Sequence, residues 1–385
     1  MSELDHTLEL LGDLVACPTV SSESNLACID MLAERLEKAG ARVEVFKDET
    51  GEKANLYASL GPDVKGGILL SGHSDVVPVE GQDWSSDPFA MTEANGRLHG
   101  RGTCDMKGFI AACVAMAPQL AAQASSRPLH FAFTHDEEVG CLGAKSLADQ
   151  LKNRENLPSV AIIGEPTSMR VVEGHKGCCE YTTRFSGRSG HGSDPAAGVN
   201  AVEYASRYIA RLMELRETLK ARTPPASPFE PPWTTINTGA LIGGHAHNVI
   251  PAQAEVQWEM RPVAEGDASF VRGELQRYIN EMLLPEMQAI APEAAIWTET
   301  VGETPGLMPM SEGEAAALAC ALTGSNGGAL VPFNTEAGIF QQLGIDVIVC
   351  GPGSIEQAHK PDEYLEISQL QQCLAMLERL GPRLA

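Results

Sequence analysis

The sequence predicts an α/β protein in which a doubly wound mixed sheet is interrupted by an inserted ferredoxin-like α+β domain. Three observations carry this prediction. Short apolar runs alternate with helical segments in the first third of the chain. A β-α-β-β-α-β order fills the middle. The apolar runs then resume and end in a helix, Ser368 to Leu380.

In chain order, Leu8 to Val15 and Leu26 to Ala39 are amphipathic helices, and Gly40 stops the second. Val43-Glu44-Val45 and Leu56-Tyr57-Ala58 read as strands. Ile68 to Ser71, Leu129 to Thr134, Val160 to Ile163 and Val347 to Val349 read as central strands, because both of their faces are apolar. Met106 to Gln119 is a helix with Phe109, Ile110, Cys113 and Val114 on one face. In the middle, Tyr181, Thr183 and Phe185 alternate with polar residues, as in a half-exposed strand. A helix from Ala201 to Arg222 follows, then strands Thr234 to Ile242 and Ala254 to Arg261. A second helix runs from about Phe270 to Met287, and a strand covers Ala295 to Val301. The proline-rich stretch from Thr223 to Pro228, with Pro231 and Pro232 behind it, reads as a surface loop. The inserted domain is therefore placed at 180–296, and 1–179 with 297–385 form the other domain.

A chain of 385 residues with 43% apolar content can bury two or three cores. Its 51 acidic against 28 basic residues give a formal charge of −23. Such a surface repels phosphate backbones and anionic lipid, so no nucleic acid and no membrane partner is expected. No run approaches the length of a membrane span. The opening Met1-Ser2-Glu3-Leu4-Asp5 is acidic and polar, unlike a signal peptide. Of the ten cysteines, Cys17, Cys28, Cys113, Cys320 and Cys373 lie in Ala- and Leu-rich helical segments, where cysteine acts as a small hydrophobe. Reduced thiols and a cytoplasmic location are the expectation.

Ionisable residues gather where the central strands end. His73 and Asp75 follow Ile68-Leu69-Leu70 and, two apart on extended chain, point to one side. That arrangement lets an imidazole bind a metal while a carboxylate orients the ring. Asp105 lies in the turn Gly102-Thr103-Cys104-Asp105-Met106-Lys107-Gly108. Its two oxygens can bridge two cations about 3.5 Å apart, or it can simply cap the following helix. His135-Asp136-Glu137-Glu138 ends the strand Leu129 to Thr134, and Glu165 ends another. Charges at a buried strand terminus must be paired or bind metal; the other reading of His135 to Glu138 is an exposed acidic loop. Adjacent glutamates point different ways, so one can bind metal while the other serves as general base. His359, in Ala358-His359-Lys360-Pro361-Asp362-Glu363, supplies a second imidazole. Two His, two terminal carboxylates and one bridging carboxylate suit Zn²⁺, with Co²⁺ or Mn²⁺ as alternatives. No Gly-x-Gly-x-x-Gly follows a strand and no Gly-Lys-Ser is present, which argues against a nucleotide-binding α/β protein.

These motifs, from Gly72-His73-Ser74-Asp75 through Gly100 to Gly108, Asp136-Glu137-Glu138, Gly164-Glu165-Pro166 and His359, occur in one order along the whole chain. In that order they resemble the acetylornithine deacetylase, succinyl-diaminopimelate desuccinylase and aminoacylase family of two-zinc amidohydrolases. The resemblance implies two Zn²⁺ per chain, with Asp105 as bridge, His73 and Glu165 on one ion, and Glu138 and His359 on the other. It implies Asp75 as the orienter of His73, Glu137 as general base and then acid, and a cis Asp105–Met106 peptide. It also implies that 180–296 is a dimerisation (lid) domain of a homodimer. Ser189 to Pro195 looks like the segment whose histidine, here His191, reaches the partner's active site; Asp194-Pro195 is equally a normal helix start. Asn248 and Arg261 match segments that hold the substrate carboxylate, Arg261 in bidentate fashion, or Arg261 is a surface strand residue.

The stretches Pro332 to Phe340 and Gly351 to His359, with Gly353, look most like those of enzymes acting on N²-acetyl-L-ornithine in arginine biosynthesis. The desuccinylase relatives carry an Arg where this chain has Gly338. Glu336 nearby would offer an anionic wall to a substrate ammonium, or would cap the next helix. The expected substrate is a small N-acyl amino acid. A deacylase, aminoacylase or dipeptidase of the same family is the alternative.

Overall fold

The computed structural model describes residues 2–385; Met1 of the polar opening lies outside them. The chain divides into two compact units, one holding the residues up to His175 and Leu307–Ala385, the other Lys176–Gly306. The second unit is wider than the 180–296 expected. Its outer boundaries are set by two strands that run longer than their apolar cores, Cys178–Ser186 and Ala295–Thr304.

The first unit is built on an eight-stranded mixed sheet. Its order is Arg42–Lys47, Ala54–Leu60, Leu129–Thr134, Ile68–His73, Val160–Pro166, Asp346–Gly351, Val172–His175 and Ala329–Val331. The four strands from Leu129–Thr134 to Asp346–Gly351 are mutually parallel. Strand periodicity sends alternate residues to opposite faces. Ile68, Leu70, Phe131, Phe133, Val160 and Ile162 therefore join the helices Glu3–Val15, Leu26–Lys38, Gly108–Ala121 and Ile367–Leu380. Leu69, Ala132, Ala161, Ile163 and Val347 face the helices Leu142–Leu151 and Ala337–Gln342. Each fully buried Ile or Leu contributes roughly 1.5–3 kcal/mol, so two filled faces explain the wholly apolar runs.

The first helix begins five residues before the apolar stripe, because Ser2 and Asp5 form a capping box. The helix expected from Met106 starts instead at Gly108, after a wide turn over Thr103–Lys107. The Asp105–Met106 peptide in that turn is cis, as the resemblance implies.

The second unit carries a four-stranded antiparallel sheet, ordered Thr235–Gly243, Gln253–Arg261, Cys178–Ser186 and Ala295–Thr304. With the helices Ala201–Ala221 and Asp267–Tyr278 on one face, this is the ferredoxin-like arrangement. Ala254, Val256, Trp258 and Met260 alternate inward against Tyr181 and Phe185. The helix expected over 270–287 is continued to Ile290 through a wide turn, Ile279–Leu283, just ahead of Pro285. Pro285 has no N–H to give, which favours such a local adjustment. Among the described residues no helix is long and apolar enough to cross a membrane, and the ten cysteines form no disulfide with one another.

Candidate active site

The site lies at the C-terminal ends of the parallel strands, where open α/β sheets place ligands. His73 closes the strand Ile68–His73, and Glu165 stands in Val160–Pro166. Glu137 and Glu138 come three and four residues after Leu129–Thr134. Asp105 comes from the cis turn and His359 from the loop after Asp346–Gly351.

Each oxygen of Asp105 faces a different imidazole. Oδ1 is 3.0 Å from His73 Nε2, and Oδ2 is 3.4 Å from His359 Nε2. His73 Nε2 is also 3.8 Å from Glu165 Oε1, and His359 Nε2 is 3.1 Å from Glu138. Asp105 makes no capping bond to the helix behind it, which removes the helix-cap reading. The ligand atoms of His73, Asp105 and Glu138 lie within 4.8 Å of one another, as do those of His73, Glu137 and Glu165.

The electrostatics of this cluster call for positive charge. Burial pushes Glu165 well above the usual carboxylate range, and Asp105 adds to it. Burial, then Asp105, likewise raises Glu138. Burial pushes Glu137 up to about 8 against the opposing pull of His73. Asp105 also suffers from burial, but bonding to His359 and His73 overcomes it and holds the carboxyl below its ordinary value. Bonding to Asp105 and Glu138 in turn holds His359 up to about 10. Glu165 Oε1 is buried with no hydrogen-bond partner. An unpaired buried carboxylate oxygen is costly. Four carboxylates, one of which carries this oxygen, and two imidazoles form a donor set that fits divalent cations.

The surrounding residues hold the donors in place, and Asp75 is joined to His73 through both its main chain and its side chain. His73 Nδ1 donates to the main-chain carbonyl of Asp75 at 2.9 Å, while the Asp75 carboxylate is 3.6 Å away. The ring is thus held by the chain itself, leaving Nε2 free as a ligand atom. The carboxylate also accepts from Ser21 Oγ (2.6 Å) and from the N–H groups of Glu137 (3.1 Å) and Glu138 (3.4 Å). Asp75 therefore positions the glutamate loop. Lys53 Nζ reinforces that loop through Asp136 at 2.6 Å, and the Cys141 thiol donates to Glu137 Oε1 at 3.3 Å.

The expectation for Glu336 is corrected. It is fully buried and makes no helix-capping bond. Its two oxygens accept from Ser71 Oγ (2.6 Å) and Thr134 Oγ1 (2.7 Å), tying two strand ends together beneath the site. A carboxylate so enclosed presents no wall to a substrate. Gly338 is likewise buried, in the helix Ala337–Gln342. Gly353 adopts φ +89, and a Cβ there would lie 2.6 Å from Cys104 Sγ, so it serves close backbone packing behind Asp105.

In the second unit, His191 lies in a two-stranded ribbon opposite Val249, and Asn248 comes just before that partner strand, its carbonyl accepting from Gly192 N–H at 2.7 Å. His191 is exposed, and its Nδ1 accepts from the Ser193 N–H at 3.2 Å. Asp194 makes no cap, and only a three-residue turn follows. Arg261 is half-buried, with Nε and Nη2 both on Glu259 Oε2 (3.1 and 2.7 Å).

Sequence reasoning missed Glu363, which the structure buries at 1% exposure against Arg101, 2.7 Å away. Removing one partner of such a pair costs about 3–5 kcal/mol. The available signal was an acidic residue four positions after a ligand-type histidine. Ser21 and Lys53 gave no signal, because each bonds to a residue distant in sequence, Asp75 and Asp136; Cys141, which bonds Glu137 within its own loop, reads as a small hydrophobe.

Comparison with known proteins bears on family and fold. Residues 69–381 match the model of Peptidase family M20/M25/M40. A protein of Pasteurella multocida named acetylornithine deacetylase is 35% identical, over 99% of this chain and 98% of its own. One of the same name from Klebsiella pneumoniae is 38% identical, over 95% and 94%. Among solved structures, an M20 family metallo-carboxypeptidase from Sulfolobus solfataricus superimposes with a TM-score of 0.76 at 18% identity, covering 98% of this chain and 99% of its own. A Bacillus subtilis protein described as a dinuclear metal binding peptidase from M20 family gives 0.64 at 15%, covering 99% and 98%. With the histidines and carboxylates converging as described, and the match running through most of its length, the chain belongs to peptidase family M20/M25/M40.

Proposed function

We propose that the protein is a two-metal amidohydrolase that converts N²-acetyl-L-ornithine to L-ornithine and acetate, a step of arginine biosynthesis in the cytoplasm. The observation that carries the metal half of this reading is the unpartnered Glu165 oxygen beside an Asp105 that faces two imidazoles. The substrate half rests on the near full-length similarity to proteins named acetylornithine deacetylase. It draws nothing from Glu336 or Gly338, which are buried away from solvent.

In this reading His73, Glu165, Glu138, His359 and Asp105 would hold the two ions, His73 and Glu165 on one side of Asp105 and Glu138 and His359 on the other, with Zn²⁺ as the ion. When bound, such ions polarise an acyl carbonyl and acidify water. Glu137 does the proton work. Its carboxylate takes the proton of the attacking water and then gives it to the amide nitrogen, so that ornithine leaves as the amine. The Cys141 thiol and the Asp75-anchored loop fix where that carboxylate points. Lys176–Gly306 is read as the dimerisation unit, with His191 serving the partner's site, and Asn248 and Arg261 binding the substrate carboxylate, Arg261 once released from Glu259.

The test is kcat/KM for N²-acetyl-L-ornithine against N-succinyl-diaminopimelate and neutral N-acetyl amino acids. Preference for the acetylornithine is the expected result; preference for either other class overturns the substrate. Mixing inactive Glu137→Gln and His191→Ala chains should restore activity through hybrid dimers. No recovery despite proven subunit exchange would refute the role across the interface.

A further inference from the structure

We propose that Glu363 is the positioning residue that locks the Asp105 turn to the His359 loop, and so sets the spacing between the two halves of the metal site. The inference rests on the metal reading above and assigns a role to a residue which that reading leaves unused.

One buried side chain serves the whole Asp105 turn. Glu363 Oε1 accepts from the N–H groups of Cys104 (2.9 Å) and of Asp105 itself (3.0 Å). Oε2 accepts from Gly102 N–H (3.1 Å) and Arg101 Nη1 (2.7 Å). The main-chain carbonyl of Glu363 accepts from Gly100 N–H at 3.0 Å. The chain from 100 to 105 is thus moulded around this one residue.

The same network returns to His359. Arg101 Nη2 donates to Gln82 Oε1 (2.6 Å), and Gln82 Nε2 donates to the His359 carbonyl (3.0 Å). Arg101 Nη1 also reaches Lys360 O at 3.3 Å. Asp362 receives Ser85 N–H (2.8 Å) and Ser85 Oγ (2.7 Å), pinning the loop a second time. His359 needs such anchoring: its φ is +63, and its side chain is half exposed.

A purely stabilising role would not require this arrangement. A buried ion pair is weak support for a fold, and a well-packed apolar pair often does as well. What an apolar pair cannot do is accept three N–H groups of the turn that presents Asp105. Charge-assisted bonds to those amides fix the backbone, and with it the carboxylate between the two imidazoles.

Three variants test this: Glu363→Asp, Glu363→Gln, and the double R101M/E363M, which leaves no unpaired charge. Each is titrated with Zn²⁺ by calorimetry and with Co²⁺ by visible absorption, and its metal-free form is unfolded in urea. Loss of such a support typically costs about 10–100-fold in metal affinity. The expected result is that loss, with an altered Co²⁺ spectrum and lowered kcat at unchanged KM, in variants whose metal-free unfolding stays cooperative. Wild-type affinity and spectrum in Glu363→Asp or the double variant would overturn the proposal, whatever happens to stability. Failure of all three to fold would also overturn it, by making Glu363 a residue of the fold. If the wild-type protein binds no metal, the metal reading fails first, and this control keeps the two failures apart.

Discussion

His73 closes a central strand and its side chain is 1% exposed, whereas His359 stands on a loop with its side chain 52% exposed. The first is fixed by the parallel strand that pairs it with Thr134 and by the carbonyl of Asp75. The second depends on side chains reaching from elsewhere, Gln82 to its carbonyl and Glu138 and Asp105 to its ring. Asp105 belongs to both halves, one oxygen to each imidazole. The contrast shows how a rigid sheet and an adaptable loop build one site. The buried half is specified by the hydrophobic core, and the exposed half by a hydrogen-bonded clamp.

The largest expected effect falls on the group that serves both halves without being assigned as a ligand of either. Glu137→Gln should lower kcat by about 10²–10⁴-fold or more, the typical worth of general acid–base catalysis. Metal content and unfolding should stay unchanged. Near-normal turnover in this variant would hand the proton transfer to another group.

Replacing the imidazoles separates the halves. His73→Ala opens a hole in a packed strand end and removes a fixed ligand, so it should abolish binding of one ion and reduce stability. His359→Ala removes a half-exposed side chain from a loop, so metal-free stability should match wild type and only the second ion should weaken. Equal losses of stability in the two variants, measured by urea unfolding, would erase the distinction.

The buried half was readable from sequence because its chemistry is local. Apolar runs such as Ile68-Leu69-Leu70 announce a two-faced strand, and the ionisable residue that follows has nowhere to go but the site. The helices and the inserted β-α-β-β-α-β unit were legible for the same reason of period. What escaped is non-local. The short strands Thr92–Ala94, Arg97–His99 and Tyr364–Glu366 carry too few residues to show a period. Asp75 lies beside His73 as its place in the sequence suggests, but its further bonds, to Ser21 and to the loop of Glu137, come from distant segments. Glu336 seemed available because it is charged, but Ser71, distant in sequence, encloses it. Glu363 shows its role only when 100–105 folds around it. Contacts between distant segments decide these cases, and the one local hint, an acidic residue four positions after His359, does not say what it holds.

Metal binding by the purified protein tests the account most directly. The chain, stripped with chelator and dialysed, is titrated with Zn²⁺ by calorimetry while hydrolysis of N²-acetyl-L-ornithine is followed in parallel. The account predicts two ions per chain, no activity in the stripped protein and recovery as the sites fill. A stripped, metal-free protein that retains full activity, or a folded chain that binds no divalent ion, would contradict it.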